Sequence, residues 1–310
     1  MGVWDTPAER RATHPPGNGI ESVRMIIDIH THFLQADTDL DARVYEDLER
    51  CGMDLQPWRF TPEQHLEAVG PADAAVVFGM RAKATGWRVS NDAVAEHVRR
   101  APDKLVFFGS PDPGEDNAMA ELERCHQDLG CQGVKLGPIY QGVHPLDRRY
   151  YDIYAYCERH RLPIMIHMAT TFSSGVPLDY ARPAYMDQVA VDFPELKIIL
   201  PHLGHPWEGE TIAAIRKSPN LFADVSALYY RPWQFYNAMR LLVEYGADSK
   251  VLFGSDYPAT TTSDSIAGIR NVNSVIADSG LPKIPDEVIE GIIHRDALGL
   301  LGIAHPAADT

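Results

Sequence analysis

Basic residues are scarce in this chain: 28 lysines and arginines stand against 43 aspartates and glutamates, a formal net charge of −15. So acidic a surface repels a phosphate backbone and offers no basic tract to an anionic membrane, which argues against nucleic acid and lipid headgroups as partners. Long apolar runs are missing as well, and no stretch of about 18 apolar residues could span a bilayer. The four cysteines, Cys51, Cys125, Cys131 and Cys157, form no CxxC pair. Neither a zinc ribbon nor a redox dithiol is suggested, and reduced thiols in a cytoplasmic protein are the simpler expectation. The glycine-rich GxGxxG of a dinucleotide-binding open sheet is also absent.

Residues 1–24, MGVWDTPAERRATHPPGNGIESVR, lack the apolar segment of a secretory signal and are rich in proline, glycine and charge. They are expected to form a flexible N-terminal arm, and residues 304–310 a fraying tail, around a single catalytic domain over 25–303.

Within that body, eight short runs rich in apolar and β-branched residues are each followed by a longer stretch of helical character. They are MIIDIHTH (25–32), AAVVFG (74–79), KLVFFGS (104–110), QGVKLG (132–137), PIMIHM (163–168), KIILPHL (197–203), LFADVSA (221–227) and VLFGSD (251–256). Near-continuous hydrophobicity in runs such as KIIL marks strands covered on both faces. Eight βα units predict a (β/α)8 TIM barrel. The connection between the first two strands contains LQPWRFTP (55–62) and exceeds one crossover helix, which predicts a lid or flank over the active site. Helices are expected from SNDAVAEHVRR, with a serine cap, and from DNAMAELERCHQDLG, ending at a glycine C-cap.

On the first strand His30 and His32 are two residues apart and share a face, as does Asp28 by the same period. Two imidazoles so placed can donate lone pairs to one cation of borderline softness such as zinc. Alone the HxH pair is weak, since such pairs also arise as surface or capping residues. Three further strands end in metal-competent or catalytic side chains: His167 at the fifth, His202 at the sixth and Asp256 at the eighth. In a barrel the C-terminal strand ends converge on one mouth, so these residues can reach a common ion.

The series DIHTHF, PIMIH, PHLGHPW and VLFGSDYP, closing with GIIHRDALGLLG, resembles the amidohydrolase superfamily. The similarity is to the amidohydrolase-related branch, which includes the aminocarboxymuconate-semialdehyde decarboxylase group. It implies one divalent ion, zinc or alternatively manganese, held by His30, His32 and His167. Asp256 would be a ligand or a general base touching the metal-bound water, and His202 an acid/base or polarising residue. His205, three residues past His202, is expected to face elsewhere, as a structural residue or one that supports a ligand from behind. Some branches carry a carbamylated lysine near the fourth strand. With one metal expected here, Lys135 is read instead as a substrate-carboxylate contact or a rim ion-pair partner.

The aromatic segment SALYYRPWQFY places Arg231 beside Tyr229, Tyr230 and Trp233, which suits an aromatic or carboxylated small-molecule substrate. It suits a subunit contact in a homo-oligomer equally well, and Arg59 and Arg182 carry the same ambiguity. The leading expectation is a metal-dependent hydrolase of a small amide, lactone or ester, in which a metal lowers the pKa of its water toward about 7. The alternative is non-oxidative decarboxylation of a small aromatic or unsaturated carboxylic acid. A third reading, a non-catalytic barrel that keeps its cage for stability, fits poorly with the presence of both His202 and Asp256.

Overall fold

A computed structural model describes residues 24–306. Apart from Arg24, the N-terminal arm expected at 1–24 lies outside the described residues, as do residues 307–310 of the tail.

All eight strand runs form strands: β1 (Ile27–His32), β2 (Ala74–Phe78), β3 (Leu105–Gly109), β4 (Gly133–Leu136), β5 (Ile164–Ile166), β6 (Ile198–Leu200), β7 (Leu221–Asp224) and β8 (Val251–Leu252). They pair in sequence order, each parallel to the next. Backbone bonds from Ile29 N to Phe253 O (3.1 Å), His32 N to Tyr257 O (2.8 Å) and Asp256 N to His30 O (2.8 Å) join the last strand segment to the first and close the barrel.

Alternation along the strands splits the core in two. Ile27, Ile29, Val76, Phe78, Val106, Phe108, Met165, Ile199, Phe222 and Leu252 fill the barrel interior, with Leu298 and Leu301 of the last helix (Ala297–Leu301) packed in the same cluster. Their neighbours on the same strands, such as Val134, Leu136, Ile164, Ile198 and Leu200, pack outward against the helices. This is why the strands read as continuous apolar runs rather than as alternating ones.

The connection from β1 to β2 holds helices Ala36–Asp39, Ala42–Arg50 and Pro62–Ala68, the last fixed by a reciprocal capping box between Thr61 and Gln64. It is tied across the barrel mouth to the loop after β5: Arg50 Nη2 donates to Phe172 O (2.7 Å), and Ser174 N donates to Asp47 Oδ2 (2.9 Å). A short antiparallel pair, Arg81–Ala82 with Trp87–Arg88, follows β2 and has no clear period in so few residues. Two helix-end expectations differ in detail. Ser90 stands at the N-cap of Asn91–Val98 without a side-chain capping bond. The helix Ala118–Gln127 ends at Asp128, with Gly130 in left-handed backbone two residues further on.

Candidate metal centre

The first strand does not keep a strict period of two. Its register with β2 slips between Asp28 and Thr31, so the expectation that Asp28 shares the inward face of His30 and His32 is corrected. Such a bulge re-aims the side chains beyond it. The buried Asp28 carboxylate instead accepts from Ser255 N (2.9 Å) and Thr262 Oγ1 (2.7 Å), pinning the segment that carries Asp256 to β1. Gly254 is needed there, because a Cβ would meet the His30 Cβ at 2.8 Å.

Past the slip, His30 and His32 turn their rings to one point. His30 Nε2 lies 3.0 Å and His32 Nε2 3.3 Å from the same oxygen, Asp256 Oδ1. Metal–ligand bonds of about 2.0–2.2 Å leave neighbouring donor atoms roughly 3 Å apart, so this trio has the spacing of a cation's ligands. Burial alone would raise the Asp256 carboxyl, but the His30 and His202 charges and hydrogen bonds from both first-strand imidazoles hold it well below the usual carboxylate range. Burial pushes His32 down to about 4, against the pull of Asp256, so its ring is neutral and can donate a lone pair.

Asp224, at the end of β7, was not anticipated from sequence. Its Oδ2 is 2.9 Å from His30 Nδ1, while Oδ1 accepts from His202 N (2.9 Å), Ser226 N (2.9 Å) and Ser226 Oγ. Burial would raise this carboxyl, yet the His30 charge and hydrogen bond, with His202 and Ser226, hold it far down. His30, His202 and Asp224 also lie close enough to hold an ion. All of the Asp224 oxygens are already engaged, however, and a carboxylate on Nδ1 sets the tautomer that aims the Nε2 lone pair at the Asp256 side. The signal was present in LFAD: an acid ending an apolar strand run, as in VLFGSD.

The remaining expected residues fall as follows. His167 and His202 face each other with ring centroids 5.2 Å apart, and His167 Nε2 is turned to Thr170 O at 3.0 Å. His167 therefore shares the cavity but does not join the trio. His202 stands in left-handed backbone (φ 57°) with Nδ1 3.0 Å from Ser226 O. Leu203, Ala227 and Asp256 adopt the same region, a concentration of backbone strain, about 1–3 kcal/mol each, typical of functional mouths. Lys135, the inward residue of β4, is buried with Nζ 3.4 Å from His30 Nε2 and 4.3 Å from the Phe78 ring centre. Burial lowers its ammonium to about 8, with Asp256 and Asp224 opposing.

A cavity of about 360 Å³ opens above this floor, lined by His32, Lys135, His167, His202, His205 and Asp256. Its walls are aromatic: Trp58, Trp87, Tyr140 and Phe172 contact one another at ring distances of 5.5–6.5 Å. Arg231 and Tyr230 stand at the rim, the guanidinium 4.6 Å from the Tyr230 ring. Arg231 forms no ion pair among the described residues. Tyr229 is corrected: its ring packs over Gly268, where a Cβ would meet it at 2.2 Å, and Tyr230 takes its place at the cavity. Arg59 pairs with Asp37 and Arg182 with Glu210, both away from the cavity. His205 does line it, contrary to expectation, with Nδ1 2.5 Å from Glu208 Oε1.

Comparison with known proteins bears on what such a site does. An amidohydrolase family model matches residues 27–303. The chain is 29% identical over 227 residues to a 2-keto-4-carboxy-3-hexenedioate hydratase of Sphingobium sp., a match covering 58% of this chain and 64% of that one. It is 24% identical over 249 residues to the 2-amino-3-carboxymuconate-6-semialdehyde decarboxylase of Dictyostelium discoideum, covering 71% and 67%. The fold is also that of a dihydroxybenzoic acid decarboxylase from a Polaromonas species, solved with manganese and the inhibitor 2-nitroresorcinol. That match has a TM-score of 0.59 and 16% identity, over 92% of this chain and 99% of that one. Among the described residues no helix is long and apolar enough to cross a membrane.

Proposed function

The chain belongs to the amidohydrolase family, whose model spans residues 27–303, and from that premise we propose that it is a metal-dependent carboxy-lyase. It removes carbon dioxide from a small aromatic or unsaturated carboxylic acid. The hydrolase expected first from the sequence is the weaker reading, because the relatives matched by sequence are mostly decarboxylases, with a hydratase among them. The observation that carries the proposal is the cavity itself, where planar aromatic walls lie between a cation-competent floor and an arginine at the rim that forms no ion pair among the described residues.

His30, His32 and Asp256 would hold one divalent ion, and His167 would join them only by giving up its Nε2 contact with Thr170 O; a mixed nitrogen and oxygen donor set accepts zinc or manganese. Such an ion supplies Lewis-acid neutralisation of the substrate's oxygen substituents. Asp224 keeps His30 in the tautomer that leaves Nε2 free. Trp58, Trp87, Tyr140 and Phe172 receive the substrate plane and keep water from its carboxylate, with Tyr230 at the rim. Arg231 and Lys135 offer cations to carboxylate groups, Arg231 with the fork geometry that suits them. His202, its Nδ1 occupied by Ser226 O, presents the lone pair of its other nitrogen to accept and return the proton of a substrate hydroxyl. The overall change is R–COO⁻ plus a proton giving R–H plus carbon dioxide.

The test is isotopic, run on a panel of hydroxybenzoates and carboxylated muconate semialdehydes. In deuterium oxide the product should carry deuterium at the vacated carbon with carbon dioxide released. Oxygen-18 from labelled water in the product, without carbon dioxide, would reject decarboxylation in favour of hydrolysis or hydration.

A further inference from the structure

We propose that His205, backed by Glu208, delivers the proton to the carbon that carbon dioxide leaves; this rests on the decarboxylase reading. The HLGH turn after β6 carries two histidines, and only the first had a role. His202, Leu203 and Gly204 all adopt left-handed backbone, with φ of 57°, 47° and 67°. Three consecutive residues in this region break the period by which the second histidine would point away from the first. As a result His205 turns into the cavity, where it lines the wall together with His167 and His202.

Its two ring nitrogens are not equivalent. Nδ1 is held 2.5 Å from Glu208 Oε1, at the start of the helix Glu208–Lys217, and Glu208 is not among the residues that line the cavity. Glu208 therefore holds the Nδ1 edge of the ring from outside the cavity lining, and the opposite edge carries Nε2. Nε2 has no hydrogen-bond partner among the described residues, nor is it sealed from solvent as the orphaned ring nitrogens of His32 and His97 are. A carboxylate on one nitrogen orients the ring and leaves the other nitrogen to exchange a proton with whatever occupies the cavity. This is what a proton donor to carbon requires, and it is distinct from the trio on the floor: His205 is buried (8% exposed), but no cage residue is its hydrogen-bond partner.

In the step assigned here the bond between the substrate carbon and its carboxylate breaks, and carbon dioxide departs without the electron pair. The carbon keeps that pair and takes the proton from Nε2 of the His205 imidazolium. The neutral ring, still bonded to Glu208, regains a proton from water, so each turnover consumes one solvent proton and no other reactant. Glu208 is a positioning residue in this scheme, acting only through the imidazole.

The experiment compares the parent enzyme with His205→Gln, Glu208→Gln and Glu208→Asp, all loaded with manganese. It reads carbon dioxide release, deuterium incorporation from deuterium oxide, bound metal and the affinity for 2-nitroresorcinol. His205→Gln should lose about a hundredfold in kcat, the scale of general acid catalysis, while its metal content and inhibitor affinity stay at the parent values. Glu208→Gln should lose less, with Glu208→Asp recovering part of that loss through kcat and not through KM. If the parent releases carbon dioxide and metal-loaded His205→Gln matches its kcat, the inference is overturned while the decarboxylase reading stands. If the parent releases none from any carboxylate it binds, the decarboxylase reading fails first and takes this inference with it.

Discussion

Replacing Asp224 by asparagine changes one atom and its proton count, and the effect on metal binding follows from the hydrogen-bond directions. Asp224 Oδ1 already accepts from the backbone of His202 and Ser226, each at 2.9 Å, and from the Ser226 hydroxyl. An asparagine must keep its carbonyl oxygen in that position, which forces its amide nitrogen into the place of Oδ2, 2.9 Å from His30 Nδ1. An N–H then points at Nδ1, so Nδ1 has to accept. The single proton of the neutral ring moves to Nε2, the atom 3.0 Å from Asp256 Oδ1 at which a cation would bind. Losing the outer partner of a metal-bound histidine costs about 10–100-fold in affinity, or about 1.4–2.7 kcal/mol. Because asparagine also enforces the wrong tautomer, the expected loss lies at the upper end of that range. Titration of manganese or zinc into the metal-free variant against a chromogenic chelator measures it, with circular dichroism as the control for folding. A folded Asp224→Asn protein that bound the ion within about twofold of the parent would refute the assignment of Asp224 as the tautomer-setting partner.

Ligation and proton transfer should separate cleanly. His32→Ala is expected to lose tight metal binding by elemental analysis, whereas His202→Ala should keep its ion and lose about a hundredfold in turnover; an empty site in His202→Ala would make that histidine a ligand instead. Behind β1, His65 and His97 form a buried chain, His97 Nε2 to His65 Nδ1 at 3.0 Å and His65 Nε2 to Thr31 Oγ1 at 3.2 Å. Burial above all lowers them to about 3 and about 4. Both folded values lie below the ordinary 6.5, so the unfolded chain protonates first and stability is lost as pH falls from about 6.5 toward about 4. The His97 share is at most about 3 kcal/mol. His97→Phe should therefore show a smaller drop in Tm between pH 7 and pH 4.5 than the parent, and an equal drop would contradict the burial argument. Gly133 on β4 faces Phe108 of β3, and a Cβ there would meet the ring at 2.4 Å. Gly133→Ala should cost about 1–3 kcal/mol in urea unfolding, and an unchanged midpoint would show that the ring yields freely.

The barrel was legible in the sequence because each strand is buried on both faces, so that eight short apolar runs stand out from the amphipathic stretches between them. That His30, His32, His167, His202 and Asp256 come together in space was legible for a related reason: polar side chains that end apolar strands have only the mouth to go to. What the sequence could not carry were relations between residues far apart in the chain. His30 and Asp224 are 194 positions apart, and only barrel closure brings an acid on β7 behind an imidazole on β1. The register slip that turns Asp28 away from its neighbours depends on how β1 meets β2 and β8, which a period of two read along one strand cannot contain. In the same way, three consecutive left-handed residues swing His205 into the cavity that helical or strand spacing had assigned it away from. The aromatic walls come from the β1–β2 connection, the hairpin after β2, the turn after β4 and the loop after β5, four segments with no common pattern. Side-chain chemistry and burial are local properties and leave a local trace in sequence, whereas tautomers, cavity walls and the convergence of ligands are set by through-space contacts and exist only once the chain has closed on itself.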